Sequence, residues 1–183
     1  MHGICQPKLY IEDLSYKMPG RMWDDVGYSH ALDMFVIVCV DAVLVNREHK
    51  TIYLARRRAK PMQGWWVVGG RMRAGEKEQD AIRRKFLQET SVDVDPARFE
   101  FLRMNRYFWK DRQQEPQENG NDSLAYTFAI ELTKQELRQV SENLERNEYE
   151  ASGGLREFTR EELIEEGIHE AIIDLYDQIY KNE

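Results

Sequence analysis

The pattern of hydrophobic positions in the first two thirds of the chain predicts a β-sheet. Residues 34–45 form the longest apolar run, which is rich in Val and Ile and interrupted by Asp41, and they are typical of a buried strand. A polar stretch at 46–50 separates this run from residues 51–56, so we predict a hairpin. Apolar segments at 65–68, 98–109 and 124–132 predict three further strands. The polar loop at 110–123 between the last two is long enough to form a lid or to be disordered.

Helical spacing appears after the third predicted strand and again near the C-terminus. Residues 76–90 carry Ala81, Ile82 and Phe86 on one face and charged residues on the other, which predicts a helix. Capping-box signatures at 133–136 and 159–162 predict two helix starts, the first helix running towards residue 147. Apolar residues recur at helical spacing through 168–179 and predict an amphipathic C-terminal helix.

These elements indicate one α+β domain of ordinary size. The chain has 183 residues, which is enough to bury a core without disulfides or metals. We assign residues 34–183 to the domain and residues 1–33 to an N-terminal extension with at most one short helix. Tyr10, Ile11, Leu14 and Tyr16 in this extension either dock on a second subunit, which would give a homodimer, or cover the sheet within one chain.

Composition and charge narrow the classes of function. The formal net charge of −7 argues against a general nucleic-acid binder, yet residues 47–85 carry 12 Lys or Arg and only 4 Asp or Glu. This basic segment is either a site for an anionic ligand or a solvated surface. No apolar run is long enough to span a membrane, and residues 1–19 show no secretory signal. Two cysteines, Cys5 and Cys39, make no disulfide framework, so we predict a cytoplasmic protein.

The candidate chemistry lies at residues 65–92. Gly69 and Gly70 allow the main chain to approach a ligand closely, because no Cβ stands in the way. Lys85, Gln88 and Glu89 share one face of the predicted helix that follows. A backbone carbonyl at the glycines and oxygen ligands on this helix suit a hard divalent cation.

This segment resembles the Nudix box, a signature with the spacing G-x5-E-x7-R-E-U-x-E-E-x-G-U, in which U is a bulky apolar residue. Gly70, Glu76, Arg84 and Glu89 match it in register, and Phe86 and Val92 match its apolar positions. Lys85 and Gln88 stand where the signature has glutamates, and Ser91 stands where it has glycine. The resemblance implies a Nudix-like α/β/α sandwich with a mixed sheet.

Within that family the chain is most similar to the GDP-mannose mannosyl hydrolase branch. The similarity lies in the basic run at residues 54–64, which leads into P-x-Q-G, and in the single glutamate retained on the helix. The branch's Gln-His pair has no counterpart near residues 151–152. The resemblance implies an NDP-sugar substrate and Mg²⁺, with Mn²⁺ as a substitute. It also implies the following roles: Glu89, the Gly69 carbonyl and Gln88 as metal ligands, Arg57 and Arg71 at the diphosphate, and Arg84 bracing the metal-binding glutamate.

Several roles stay open at the level of sequence. Strand alternation sends Arg56 and Arg58 to one face and Arg57 to the other, and one of these faces is suited to phosphate. Lys85 either replaces part of the metal's charge and contacts phosphate directly, or forms an ordinary exposed pair with Glu89.

Two further sets of residues have an alternative to a role in the site. Glu148 and Glu150 are either candidate general bases or part of an acidic surface. Trp65, Trp66 and Trp109 are expected in the core, although Trp109 or Tyr107 is also suited to stack on a nucleobase.

Two functions follow from these expectations. The first is a Mg²⁺-dependent hydrolase of a nucleoside diphosphate linked to another group, such as the sugar of GDP-mannose. The second is a Nudix fold that has lost turnover and acts as a nucleotide-binding or interaction module. Lys85, Gln88 and Ser91, which depart from the signature, favour the second function.

Overall fold

The structure of the chain, a computed structural model, describes residues 8–11, 15, 24–151 and 153–181. Tyr10 and Ile11 of the predicted docking segment are exposed, whereas Leu14 and Tyr16 lie outside the described residues. The homodimer and the division at residue 33 therefore stay predictions. No helix in the described ranges is long and apolar enough to cross a membrane.

A seven-stranded mixed sheet forms the centre of the molecule, as predicted. Its order is β3-β2-β1-β6-β5, with β4 also paired to β1 and β7 to β2. Only β1 and β6 are parallel among the described pairs. The strands are β1 (Ile37–Asn46), β2 (Thr51–Arg57), β3 (Gly64–Trp66), β4 (Val68–Arg71), β5 (Glu100–Trp109), β6 (Asn121–Glu131) and β7 (Leu155–Phe158).

The described residues form five α-helices around the sheet, and both predicted capping boxes are present, at the N-termini of α3 and α4. Helix α3 ends at residue 143 rather than near 147, and α2 begins at residue 78 rather than 76. The helices are α1 (Asp25–Met34), α2 (Glu78–Thr90), α3 (Lys134–Asn143), α4 (Arg160–Glu165) and α5 (Glu170–Tyr180).

Two hydrophobic cores lie on opposite faces of the sheet. Alternation along β1 sends Val40, Ala42 and Leu44 to one core, together with side chains of α2 and α3. Val43 and Val45 join the other core, with side chains of α4 and α5. The predicted α/β/α sandwich is thereby confirmed.

The first residues of the longest apolar run are not part of the strand. Helix α1 ends at Met34, and β1 begins at Ile37. Met34, Phe35 and Val36 are exposed, because they connect a surface helix to the sheet. The prediction of a strand from residue 34 was therefore wrong by three residues.

Arg112 fixes α1 against the loop between β5 and β6. Its guanidinium is 1% exposed and donates to Asp33 at 2.6 Å, to the Ser29 hydroxyl at 2.8 Å and to the carbonyl oxygens of Gln114 and Gly120. This loop, predicted as a lid or as disordered, therefore packs against the N-terminal helix. Together they form one wall of the cavity described next.

Candidate active site

A cavity of about 340 Å³ opens on the face of the sheet that α1 covers. Its volume lies within the range of small-molecule sites in proteins. Tyr28 and Leu32 of α1 form one side, and Gly69, Gly70 and α2 form the other. Six basic side chains and three acidic ones line it: Arg57, Lys60, Arg71, Arg73, Lys85 and Arg112, and Asp41, Glu89 and Glu148. This excess of positive charge favours an anionic ligand.

Glu89 is the acidic centre of the site and is 1% exposed. One carboxylate oxygen contacts the ammonium of Lys85. The other accepts hydrogen bonds from the Tyr149 hydroxyl and from the Gly69 N–H, the latter at 3.2 Å. Burial raises the pKa of Tyr149 well above its usual value, so this phenol stays protonated and donates.

Glycines at 69 and 70 are required by close contacts. A Cβ at residue 69 would overlap the Val40 carbonyl oxygen on the neighbouring strand. A Cβ at residue 70 would lie 2.7 Å from Cε of Lys85. The paired glycines therefore let the Lys85 side chain lie against the backbone and reach Glu89.

Asp41 is a buried carboxylate that sequence analysis noted only as an interruption of the apolar strand. It lies opposite Gly69 in the β1–β4 ladder and lines the cavity. Burial raises the pKa of Asp41 to about 7, against the lowering effect of the Arg57 guanidinium. A charged residue within a Val-rich strand was the signal that could have identified it.

The segment at 148–150 brings Glu148 and Tyr149 to the site. Its backbone bonds to the end of β2, with the Arg58 N–H donating to the Glu148 carbonyl at 2.7 Å. The Glu148 carboxylate then pairs with Arg57 at 2.9 Å inside the cavity. Glu150 instead pairs with Arg56 at 3.3 Å, and neither of these residues lines the cavity.

Arg84 and Glu76 together fix the loop that carries Arg71 and Arg73. The Arg84 guanidinium binds both oxygens of Glu76, at 2.5 and 2.8 Å, and the Arg71 carbonyl at 3.1 Å. Glu76 also accepts from the Arg73 N–H at 2.7 Å. Arg84 therefore contacts this loop. The resemblance had instead implied that Arg84 braces the metal-binding glutamate, Glu89.

Arg71 reaches the cavity from that loop. Its guanidinium lies 3.8 Å from the centre of the Tyr28 ring, a cation–π contact that holds α1 over the site. Arg71, Arg57, Lys85, Gln88, Glu89 and Gly69 all line the same cavity, so the structure brings together most of the predicted site residues. Lys60 belongs to the basic run noted in the sequence, whereas Tyr28, Arg112 and Tyr149 were not predicted to lie at the site.

The residues do not fit a divalent cation held by the protein in this arrangement. Mg²⁺ would have to bind the carboxylate oxygens of Glu89, yet both oxygens are engaged by N–H and O–H donors of the protein. The Lys85 ammonium stands beside it, and Gln88 is exposed. Within the described residues no three His, Cys, Asp or Glu side chains form a group that could hold a metal. The predicted ligand set of Gly69, Gln88 and Glu89 stays a prediction.

Comparisons with known proteins match this fold to one family. The family profile of the NUDIX domain matches residues 37–177. A comparison with curated proteins found no match.

Solved structures match at low sequence identity. A MutT NUDIX hydrolase from Burkholderia pseudomallei is 19% identical, with a TM-score of 0.53, over 70% of this chain and 87% of that one. The dihydroneopterin triphosphate pyrophosphohydrolase of E. coli is 15% identical, with a TM-score of 0.56, over 81% and 100%. NrtR of Shewanella oneidensis, solved in complex with a 27mer DNA, is 17% identical, with a TM-score of 0.53, over 77% and 59%. At these identities the matches establish the fold alone.

Proposed function

Because the chain belongs to the NUDIX domain family, we propose that it hydrolyses a small molecule in which a nucleoside diphosphate is linked to another group. The predicted enzyme class, a Nudix-type hydrolase, is that of the family. The observation that carries the proposed substrate class is the cavity, which is lined by six basic side chains and only three acidic ones. Such a site favours a compact ligand with several negative charges.

The diphosphate is proposed to lie between Arg57, Arg71 and Lys85. Guanidinium groups donate paired hydrogen bonds to phosphate oxygens, and an ammonium adds a compact charge. These three side chains reach the cavity from β2, from β4 and from α2, so they can contact the ligand from different sides. Their charges would stabilise the negative charge that develops on the leaving group during hydrolysis.

Two carboxylates of the cavity are candidates for activating the attacking water. Glu148 is held by Arg57, and Asp41 lies on the strand below. Either would accept a proton from water while the water oxygen attacks phosphorus or the sugar carbon, and the departing oxygen would be protonated by solvent. Glu150 does not line the cavity, so of the two bases proposed from the sequence it is less well supported than Glu148.

The identity of the linked group rests on the sequence resemblance, which supports a sugar and makes GDP-mannose the first compound to test. The E. coli relative acts on dihydroneopterin triphosphate according to its name, so this compound belongs in the same panel. No step of the proposal passes through a metal ion. Mg²⁺ and Mn²⁺ therefore enter the experiment as variables.

A second function is favoured by the Lys85–Glu89 contact. If the Lys85 ammonium always occupies the Glu89 carboxylate, this glutamate cannot take part in hydrolysis, and the protein would bind nucleotides without turnover. NrtR, whose structure holds DNA, shows that a chain of similar fold occurs in a DNA complex. Fold alone does not decide between these functions.

Turnover of a substrate panel separates the two functions. The panel contains NDP-sugars, ADP-ribose, dinucleoside polyphosphates and dihydroneopterin triphosphate, each with Mg²⁺, with Mn²⁺ and with a chelator. We expect hydrolysis of at least one compound, with a rate reduced about 100-fold or more in the double variant Asp41→Asn, Glu148→Gln, which lacks both candidate bases. The rate should be unchanged in Glu165→Gln, which alters an exposed glutamate of α4. Binding of nucleotide without hydrolysis of any compound would support the second function.

A further inference from the structure

The far end of the cavity from Lys85 carries a cluster of aromatic side chains. Tyr107 and Trp109 of β5 stack with their ring centres 5.0 Å apart. Trp66 packs edge-on against both, at 5.7 and 5.6 Å, and all three line the cavity. His169 packs against Trp66 at 5.5 Å from the α5 side. The aromatic cluster, Trp66, Tyr107 and Trp109, is therefore fixed from behind.

A polar atom without a partner lies beside this cluster. The side-chain carbonyl oxygen of Asn121 is buried and accepts no hydrogen bond in the described part of the chain. Asn121 lies opposite Trp109 in the β5–β6 ladder and lines the cavity. A buried amide oxygen without a donor costs about 1–3 kcal/mol, so this position is expected to be satisfied by a ligand.

The neighbouring polar group is already used. The indole N–H of Trp109 donates to the Ser123 hydroxyl at 3.1 Å, and Ser123 is buried. The indole is thereby held in place, and its polar edge faces the protein. Asn121 thus offers a flat ligand an acceptor that no donor of the described residues uses.

One cavity connects the two ends. Lys85 and Gly69 line it together with Tyr107 and Trp109, and the strands β4, β1, β6 and β5 are consecutive neighbours in the sheet. A nucleoside diphosphate bound in this one cavity can therefore contact both ends. Cys39 also lines this cavity, and burial raises the pKa of its thiol to about 12.

We propose that Asn121 and the aromatic cluster form a nucleobase subsite, in which the base packs on the aromatic rings and donates an N–H to the Asn121 side-chain carbonyl. The inference rests on the proposed function, because the diphosphate at Lys85 orients the nucleotide. Base stacking on aromatic side chains is favourable for every base. The amide supplies an acceptor beside a donor, so it selects the edge of the base rather than its face.

Calorimetric titration of the full chain with inorganic pyrophosphate and with ADP, GDP, CDP and UDP tests this subsite. We expect at least one nucleoside diphosphate to bind about 10-fold or more tightly than pyrophosphate. Asn121→Leu should remove most of that advantage and leave pyrophosphate binding unchanged. Asn143→Leu, a change at an exposed asparagine of α3, should alter neither affinity.

The possible results separate this inference from the proposed function. Equal affinities for pyrophosphate and every nucleoside diphosphate in the unaltered chain, or an unchanged nucleoside diphosphate affinity in Asn121→Leu, would overturn the subsite. A loss in Asn121→Leu for NDP-sugars but not for the free diphosphates would also overturn it, because the sugar would then occupy this end. Failure of pyrophosphate and all nucleotides to bind would contradict the proposed function itself.

A second measurement guards against misfolding of the variant. Asn121→Leu removes an oxygen that has no partner, so we expect its thermal midpoint to be equal to that of the unaltered chain or higher. Quenching of tryptophan fluorescence by the preferred nucleoside diphosphate, but not by pyrophosphate, should accompany binding and weaken in Trp109→Phe. Quenching that is identical in Trp109→Phe would place the base elsewhere.

Discussion

The Lys85 ammonium contacts the Glu89 carboxylate one helical turn away, inside the cavity rather than on the surface. The two side chains are 12% and 2% exposed. An i,i+4 pair in water contributes a few tenths of a kcal/mol, whereas removing one partner of a buried pair leaves a charge without compensation. The sequence-based alternative of an ordinary exposed pair was therefore wrong about exposure.

Substitution of Lys85 by Met should destabilise the protein by about 3 kcal/mol, because Glu89 loses its cationic partner while it stays buried. Arg83→Met is the matched control on the same helix. Arg83 forms an ion pair with Asp93 in which the side chains are 47% and 51% exposed, so its loss should cost at most about 1 kcal/mol. Urea unfolding measures both free energies. Combining Lys85→Met with Glu89→Gln should recover part of the stability lost in Lys85→Met. Equal losses of stability in Lys85→Met and Arg83→Met would contradict this prediction.

The departures from the signature can be reversed to test metal binding. Lys85→Glu combined with Gln88→Glu removes the ammonium and adds two carboxylates beside Glu89, which suits a divalent cation. We expect Mn²⁺, followed by electron paramagnetic resonance in the absence of nucleotide, to bind the double variant at least about 10-fold more tightly than the unaltered chain. If the two affinities are the same, Lys85 does not occupy the position of a cation.

Ser91 is strained where the signature has glycine. It ends α2 in the left-handed conformation, with φ of 59°, and it is exposed. A side chain in this conformation costs about 1 kcal/mol, and glycine does not carry this cost. Ser91→Gly should therefore stabilise the protein by about 1 kcal/mol in urea unfolding. Ser141→Gly, within α3, is the opposite control and should destabilise by about 0.5 kcal/mol.

The ion pair between Arg98 and Glu136 should make the protein less stable against unfolding in acid. Two hydrogen bonds, at 2.6 and 2.9 Å, join them. The contact with Arg98 lowers the pKa of Glu136 to about 2 from its ordinary value near 4.5. The stability that the ionised Glu136 contributes through this ion pair is therefore fully present above pH 4.5 and is lost as the pH falls towards 2.

The test of this ion pair is unfolding as a function of pH. After allowance for solvent screening at the partly exposed Arg98, we expect the pair to contribute about 1 kcal/mol. Glu136→Gln should flatten the dependence of unfolding free energy on pH between 5 and 2. A curve parallel to that of the unaltered chain would refute the assignment.

The sequence predicted the sheet, the capping boxes and the Nudix box because these depend on local spacing. The alternation at 56–58 likewise predicted that Arg56 and Arg57 lie on different faces, and the structure shows that Arg57 is the one that lines the cavity. Tyr149 and Arg112 were not predicted, because their roles come from contacts between residues far apart in sequence. Arg112 lies 79 residues from Asp33, and Tyr149 lies 60 residues from Glu89.

The exposure of individual side chains also could not be predicted from the sequence. Lys85 and Gln88 occupy the same helical face and line the same cavity, yet the Lys85 side chain is 12% exposed and bound to Glu89, whereas Gln88 is exposed. The Lys85 side chain lies over Gly70, with its Cε 2.7 Å from where a Cβ of that residue would be. Periodicity gives the face of a helix but not the volume opposite it.

The proposed reaction is hydrolysis, in the basic cavity, of a nucleoside diphosphate linked to another group. Phosphorus-31 NMR of the panel compounds, incubated with the full chain in water enriched in oxygen-18, tests it most directly. The account predicts that one compound is converted, with an oxygen-18 isotope shift on a product phosphorus for attack at phosphorus and none for attack at carbon. Asp41→Asn combined with Glu148→Gln should slow the conversion about 100-fold or more. Unchanged spectra for every compound, with and without Mg²⁺ or Mn²⁺, while ADP or GDP still binds, would contradict it.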